Sequence, residues 1–308
     1  MSDLPETMRA VRIEAWGDRS VLHVADVPVP TVEPGRVLVR VRAAGINPGE
    51  AAIRQGVFGG DLPTGQGTDF AGIVVAVGEG VDGVDEREEV LGWSWERSSQ
   101  AEYVSVPAEQ VVQKPRLLDW TVAGGLDIVA TTAAAAVRAV DPRAGETVVV
   151  SGAAGGVGGF VTQLLTNEGI DVIAVASEAN HEWLASKRAR PVAYGDGLQQ
   201  RIEELATNGV DALIDTHGAE YVHLGIALGI PAERIETVIA FAAAAEVGAK
   251  ASGSADTADP EILGALAQMV AEGAIEVPVA ATYPLERVQD AFEELEQGHT
   301  RGKIVLIP

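Results

Sequence analysis

Three consecutive valines at residues 148–150 lead into a glycine-dense turn, and this transition constrains the fold more than any other segment. An uninterrupted run of β-branched residues is typical of a buried parallel strand. The turn that follows contains four glycines: Gly152, Gly155, Gly156 and Gly158. Glycine permits a tight turn and lets an anion approach the main-chain amides. Apolar residues at helical spacing follow in residues 160–165, so we expect the turn to open a helix whose N-terminus favours an anion.

The order of strand, glycine turn and helix predicts a dinucleotide-binding site. A second β-branched run, residues 172–175, begins about twenty residues further on, as a Rossmann unit requires. The spacing is G-x-x-G-G-x-G, and a turn that only packs a helix onto a sheet is the alternative. The residues predicted to surround the nucleotide diphosphate are Gly152, Ala153, Gly155, Gly156, Val157 and Gly158.

Composition narrows the class of protein. The 308 residues are enough for two domains, and the formal net charge of −23 argues against binding nucleic acid or an anionic membrane. The chain shows no apolar run of membrane-spanning length and no signal-peptide pattern, so we expect a cytoplasmic protein. It contains no cysteine, which excludes disulfides and thiolate metal ligands.

The pattern of residues changes near residue 126. Before it, alternating polar and apolar residues with proline and glycine turns predict a mostly antiparallel β-domain. After it, strands and helices alternate as in a doubly wound parallel sheet, with later strands expected near residues 191–194, 212–215 and 237–241. The residues after 259 form a strand and helix block too small to be a domain. We therefore predict a discontinuous β-domain of residues 1–125 and 259–308, and a Rossmann domain of residues 126–258.

Several fragments, in this order along the chain, resemble the zinc-free quinone oxidoreductase branch of the medium-chain dehydrogenase/reductase superfamily, the group that includes zeta-crystallin. They are residues 45–48 (GINP), 67–72 (GTDFAG), 101–104 (AEYV), 132–133 (TA), the turn at 152–158 and 302–306 (GKIVL). The resemblance implies an α/β protein with a GroES-like β-domain and an inserted Rossmann domain, assembled here as a homodimer. It also implies hydride transfer from NADPH to a small quinone or α,β-unsaturated carbonyl compound.

The resemblance carries a negative expectation about zinc. Zinc-dependent members place a cysteine and a histidine on a loop of the first domain and carry a four-cysteine lobe, and this chain has no cysteine. Its five histidines do not pair at ligand spacing. We therefore expect no zinc.

Cofactor choice depends on the end of the second Rossmann strand. An acidic residue there would bind the ribose 2′-hydroxyl and repel a 2′-phosphate, but the chain has Ser177. By resemblance, Ser177 and Tyr194 frame the phosphate of NADPH, with Lys187 or Arg188 as a substitute for the basic residue common in relatives. A solvated helix face is an equally good account of Lys187. Glu178 is opposing evidence, because its carboxylate turned toward the ribose would favour NADH.

The resemblance also nominates residues for the reacting centre. It places Asn47 and Glu50 beside the nicotinamide and the substrate, with Thr132 on the carboxamide and Phe241 near the nicotinamide. We predict Tyr103 as a catalytic residue that lines the acceptor pocket, with packing as its alternative. Lys303 belongs to a basic segment that either faces the cofactor cleft or neutralises a helix C-terminus.

The leading hypothesis is an NADPH-dependent reductase of quinones or enones. The alternatives are a zinc-free alcohol or acyl-thioester reductase of the same superfamily, because fold does not fix substrate, and a non-catalytic NADPH-binding structural or sensor protein.

Overall fold

The computed structural model describes residues 4–57, 59–298 and 300–308 and divides the chain into two compact units. The first unit contains the described residues up to Ile128, together with Asp259–Gly273 and Pro278–Pro308. The second unit contains Val129–Ala258 and Ala274–Val277.

The described residues form strands whose bounds, in chain order, are as follows. They are β1 (Thr7–Ile13), β2 (His23–Pro28), β3 (Arg36–Gly45), β4 (Thr64–Gly65), β5 (Asp69–Val77), β6 (Glu89–Trp93), β7 (Tyr103–Pro107), β8 (Val111–Gln113), β9 (Thr147–Val150), β10 (Asp171–Ala176), β11 (Arg190–Ala193), β12 (Ala212–Asp215), β13 (Ile235–Thr237), β14 (Lys250–Ala251), β15 (Val279–Pro284) and β16 (Lys303–Ile307).

The α-helices of the described residues are these: α1 (Pro48–Arg54), α2 (Trp120–Ala123), α3 (Asp127–Val140), α4 (Gly156–Asn167), α5 (His181–Ser186), α6 (Leu198–Leu205), α7 (Ala219–Ala227), α8 (Phe241–Val247), α9 (Pro260–Ala271) and α10 (Val288–Glu296). Within the described ranges, none of these helices has the length and apolar character needed to span a bilayer.

The first unit is built on two sheets. A three-stranded sheet has the order β2-β1-β4, and a seven-stranded sheet follows the order β15-β16-β3-β5-β6-β8 with β7 also paired to β3. Val37 and Val39 on β3 and Val104 and Val106 on β7 point into a common core, as alternation on antiparallel strands predicts. Strand β16 pairs antiparallel with β3, so strands far apart in the sequence lie side by side in one sheet.

The second unit contains a six-stranded sheet of order β11-β10-β9-β12-β13-β14, with every pair parallel. This confirms the predicted doubly wound sheet. Connections from β9 run first toward β11 and then return to β12, so the strand order reverses between β9 and β12. A dinucleotide binds at such a reversal, outside the carboxyl ends of the strands.

The strand predicted at residues 237–241 is wrong in its bounds. Strand β13 ends at Thr237, and Phe241 is the first residue of α8. The Thr237 hydroxyl accepts hydrogen bonds from the amides of Ile239 and Ala240, at 3.2 and 2.9 Å, which turns the chain out of the sheet. Four alanines follow Phe241 and favour a helix.

Helix α9 has strong local signals at both ends. The Asp259 carboxylate accepts hydrogen bonds from the amides of Glu261 and Ile262, at 2.7 and 3.3 Å, and Pro260 occupies the first turn. Gly273 follows the helix with a φ of +77°, in the left-handed region that favours glycine.

Candidate nucleotide-binding site and buried polar cluster

The turn after β9 is so tight that two of its glycines cannot be replaced without movement. Gly152 has a φ of +59°, and a Cβ placed on it would lie 2.7 Å from Oγ1 of Thr216. A Cβ placed on Gly158 would lie 2.3 Å from the carbonyl oxygen of Gly152. The turn therefore depends on glycine for close packing as well as for backbone conformation.

The predicted diphosphate-binding residues separate into two groups by what their amides do. The amide of Ala153 donates to the carbonyl of Val175 at 3.1 Å, and that of Gly155 donates to the carbonyl of Gly152 at 2.9 Å. Helix α4 begins at Gly156, and no described side chain caps it. The first-turn amides of residues 156–158 are thus the groups free to bind an external anion, and this glycine-lined cradle fits the diphosphate of a dinucleotide.

The structure places Ser177 directly after β10, at the carboxyl edge of the sheet. Its hydroxyl accepts a hydrogen bond from Nδ2 of the Asn180 side chain at 3.0 Å, while Glu178 is exposed. The ammonium group of Lys187 pairs with Glu276 and lies 5.6 Å from the ring centre of Trp183. Lys187 is therefore engaged elsewhere in the unit and does not contact Ser177.

The remaining predicted residues of the second unit lie on different elements. Tyr194 follows β11 and Phe241 starts α8, and each is 54% exposed. Thr132 is buried on α3.

In the first unit, Asn47 and Glu50 lie in a buried polar cluster. We define the Glu50 cluster as Asn47, Glu50, Asp69, Gln100, Asp127 and Lys303, all of which are buried. Asn47 precedes α1 and Glu50 lies in its first turn, which brings their side chains to one end of the helix. The Glu50 carboxylate accepts hydrogen bonds from Gln100 Nε2 at 2.9 Å, from the Thr68 amide at 3.2 Å and from the Asn47 amide at 3.3 Å.

Lys303 supplies the cluster with its cation. Its ammonium group donates to the carbonyl of Ile46 at 3.0 Å and to Oδ1 of Asn47 at 2.5 Å, and lies 3.4 Å from Oδ2 of Asp69. Three acceptors match the three hydrogens of an ammonium group. The sequence predicts that Lys303 binds the cofactor. In the structure, its hydrogen-bond donors are instead used within the first unit.

The side-chain amide of Asn47 is also occupied within the cluster. Its Oδ1 accepts from Lys303, and its Nδ2 donates to Oδ2 of Asp69 at 3.1 Å and to Oε1 of Glu50 at 3.5 Å. Asn47 therefore connects the cation to both carboxylates.

Burial controls the proton affinity of the cluster. It raises the pKa of Glu50 to about 7, with the negative charge of Asp69 adding to the rise and Lys303 opposing it. Burial and Asp69 also raise the pKa of Asp127 well above its ordinary value. A carboxyl group with a pKa near 7 is matched to exchanging a proton at neutral pH.

Sequence reasoning did not predict the participation of Gln100, Asp127 or Asp69 in this cluster. Asp69 accepts from the Ile128 amide at 3.0 Å as well as from Asn47. A sequence signal did exist for Asp127, which interrupts an apolar stretch that begins at Leu126. The contacts join residues distant in sequence, so local patterns could not pair them.

The structure places Tyr103 apart from the hydrogen bonds of the Glu50 cluster. It lies on β7, where it packs against Met8, Ala10 and Ala101. This environment matches the packing alternative given for Tyr103 above.

Two family matches cover separate parts of the chain. The family described as alcohol dehydrogenase GroES-like domain matches residues 33–116, and the family described as zinc-binding dehydrogenase matches residues 188–306. The donors required by zinc do not fit: the chain has no cysteine, and no three acidic or histidine side chains of the described residues are grouped as a metal site.

Full-length relatives point to the same superfamily. Quinone oxidoreductase of Mus musculus is 29% identical over 325 residues, covering 97% of this chain and 98% of the relative. NADPH-dependent alkenal/one oxidoreductase of Arabidopsis thaliana chloroplasts is 29% identical, covering 100% of this chain and 81% of the relative.

Solved structures agree with these matches. The quinone oxidoreductase of Coxiella burnetii superimposes with a TM-score of 0.87 at 27% identity, covering 98% of this chain and 99% of that one. A mycobacterial protein in complex with NADPH gives a TM-score of 0.85 at 25% identity, covering 98% of this chain and 100% of that one. Over its whole length the chain is similar to proteins of the medium-chain dehydrogenase/reductase superfamily. Among them, it is similar to quinone and alkenal/one oxidoreductases.

Proposed function

We propose that this chain is a zinc-independent oxidoreductase that transfers a hydride from NADPH to a quinone or an α,β-unsaturated carbonyl compound. The observation that carries the proposal is the uncapped glycine cradle at the start of α4, which fits a dinucleotide diphosphate. The similarity to quinone and alkenal/one oxidoreductases supports the class of acceptor.

The cofactor, when bound, supplies the hydride, and the protein binds, orients and protects it. The amides of residues 156–158 hold the diphosphate. Hydride addition to a quinone or an enone leaves an oxyanion or enolate that takes up a proton. We assign Glu50 as the reservoir of that proton, because burial raises its pKa to about 7. Asn47 and Lys303 position Glu50 and limit the rise in its pKa.

NADPH is the proposed cofactor because a small hydroxyl, Ser177, occupies the position where a carboxylate would repel the 2′-phosphate. Since Lys187 is paired with Glu276, we assign contact with that phosphate to Ser177, Asn180 and Tyr194. The solved relative that holds NADPH supports the same choice. We further propose a cytoplasmic homodimer, which cell fractionation and sedimentation equilibrium test.

Steady-state oxidation of NADPH with a panel of quinones and enones tests the function. We expect acceptor-dependent oxidation that survives dialysis against a zinc chelator, and a lower KM for NADPH than for NADH. Tight NADPH binding without turnover on any acceptor would support a non-catalytic protein. Turnover confined to aldehydes or acyl thioesters would support the other reductases of the superfamily.

A further inference from the structure

The buried side chain of Asp215 connects three loops at the carboxyl edge of the parallel sheet. We define the Asp215 cluster as Asp215, Ser151 and Thr237, all of which are 0% exposed. Asp215 ends β12, Ser151 directly follows β9, and Thr237 ends β13. The three side chains therefore lie where three neighbouring parallel strands end.

One oxygen of Asp215 binds the loops that follow β9 and β12. Its Oδ1 accepts from the Ser151 hydroxyl at 2.5 Å and from the amides of His217 and Gly218 at 2.9 and 3.0 Å. The Ser151 hydroxyl in turn accepts from the Thr216 amide at 3.0 Å. Ser151 immediately precedes Gly152, so this oxygen fixes the start of the glycine turn.

The other oxygen binds the loop that follows β13. Its Oδ2 accepts from the Thr237 hydroxyl at 2.7 Å, and that hydroxyl accepts from the amides of Ile239 and Ala240. These contacts direct the chain into α8, which begins at Phe241. Oδ1 thus holds the loops after β9 and β12, and Oδ2 holds the loop after β13. The loops after β9 and β13 would serve different parts of a bound dinucleotide.

The topology of the sheet indicates which part of the dinucleotide each loop would contact. In a sheet of this topology, the diphosphate of a dinucleotide would lie at the N-terminus of the helix after β9, and the ribose of the adenosine half would lie at the end of β10. The other half would then extend toward the ends of β12 and β13, on the opposite side of the strand reversal.

We propose that Asp215 is a positioning residue that couples the diphosphate-binding turn to the loops that receive the nicotinamide half of the cofactor. This inference rests on the proposed function. The Ser151 contact orders the turn that both halves share, and the Thr237 contact orders the part of the site that only the nicotinamide half uses.

The two contacts can be separated by binding measurements that do not depend on turnover. We compare the dissociation constants of NADPH and of 2′-phospho-ADP-ribose, which lacks the nicotinamide ring. We expect Thr237→Val to weaken the binding of NADPH by about tenfold, which corresponds to the loss of one charge-assisted hydrogen bond. The binding of the fragment should be unchanged. Ser151→Ala should weaken the binding of both molecules. Thr237→Ser keeps the hydroxyl and restores NADPH binding.

The variant Asp215→Asn provides a second test of the proposal. The amide oxygen can replace Oδ1, but its NH₂ group then meets the Thr237 hydroxyl, which can no longer donate there. We expect this variant to reproduce the selective defect of Thr237→Val. Thr166→Val is the matched control, because Thr166 is also buried on the second unit and donates to the Gln163 carbonyl, but lies at the far end of α4.

The outcomes distinguish this inference from the proposed function. Equal weakening of NADPH and the fragment in Thr237→Val, or no weakening of either, overturns the inference while wild-type binding keeps the proposed function intact. Absence of binding of both molecules to the wild type overturns both.

Discussion

At the scale of single residues, Glu50 and Glu236 are buried carboxyl groups in different units, and burial raises the pKa of each from 4.5 to about 7. Such a group binds its proton more tightly in the folded state. Folding stability therefore falls as pH rises from 4.5 to about 7 and then levels off. We expect Glu50→Gln to remove the part of this decline that Glu50 contributes, up to about 3 kcal/mol in the free energy of unfolding, and to leave the part that Glu236 contributes. Denaturant unfolding across this pH range measures it.

Glu236→Gln is the matched control for a role of Glu50 in proton transfer. Glu236 lies in the second unit, where it accepts from the Ser252 amide at 2.5 Å. Both variants should alter the pH dependence of stability. Only Glu50→Gln should remove an ionisation near pH 7 from the profile of kcat/KM. An unchanged profile in Glu50→Gln would exclude Glu50 as the proton reservoir.

At the scale of elements, the turn between β9 and α4 depends on a close backbone contact. We expect Gly158→Ala to disrupt the turn and abolish measurable NADPH binding, because its Cβ would lie 2.3 Å from the Gly152 carbonyl. Gly264→Ala is the control, since Gly264 lies within α9 and a Cβ there meets no atom within 4 Å. The control should stabilise the protein by about 0.5–1 kcal/mol. Thermal unfolding and fluorescence titration measure both effects, and normal NADPH binding by Gly158→Ala would contradict the assignment.

Local signals also explain which elements could be predicted from the sequence. The valines and glycines of β9 and its turn, and Asp259, Pro260 and Gly273 around α9, act on neighbours within a few residues. The end of β13 depends instead on Asp215, which is 22 residues away from Thr237. The Glu50 cluster joins Asn47 to Lys303 across 256 residues. Pairing of that kind is set by tertiary packing, so the sequence could nominate Asn47, Glu50 and Lys303 but not the contacts that join them.

At the scale of the whole molecule, charge should govern how the cofactor arrives. The chain carries 45 acidic and 22 basic residues, a formal net charge of −23, while NADPH is itself a polyanion. Long-range repulsion slows their encounter, and salt screens it over a Debye length of about 10 Å at 0.1 M. We therefore expect the association rate constant for NADPH to rise with added NaCl, the reverse of the behaviour at a basic nucleotide site. Stopped-flow fluorescence measures this rate.

Two comparisons separate the effect of charge on the association rate constant from other effects of salt. The dissociation rate constant reports the short-range contacts of the glycine turn, so it should change less than the association rate constant. The KM for an uncharged quinone is the control, because a neutral acceptor does not experience the field of the protein. An association rate that falls steadily with NaCl would mean that local positive potential at the start of α4 outweighs the charge of the whole chain.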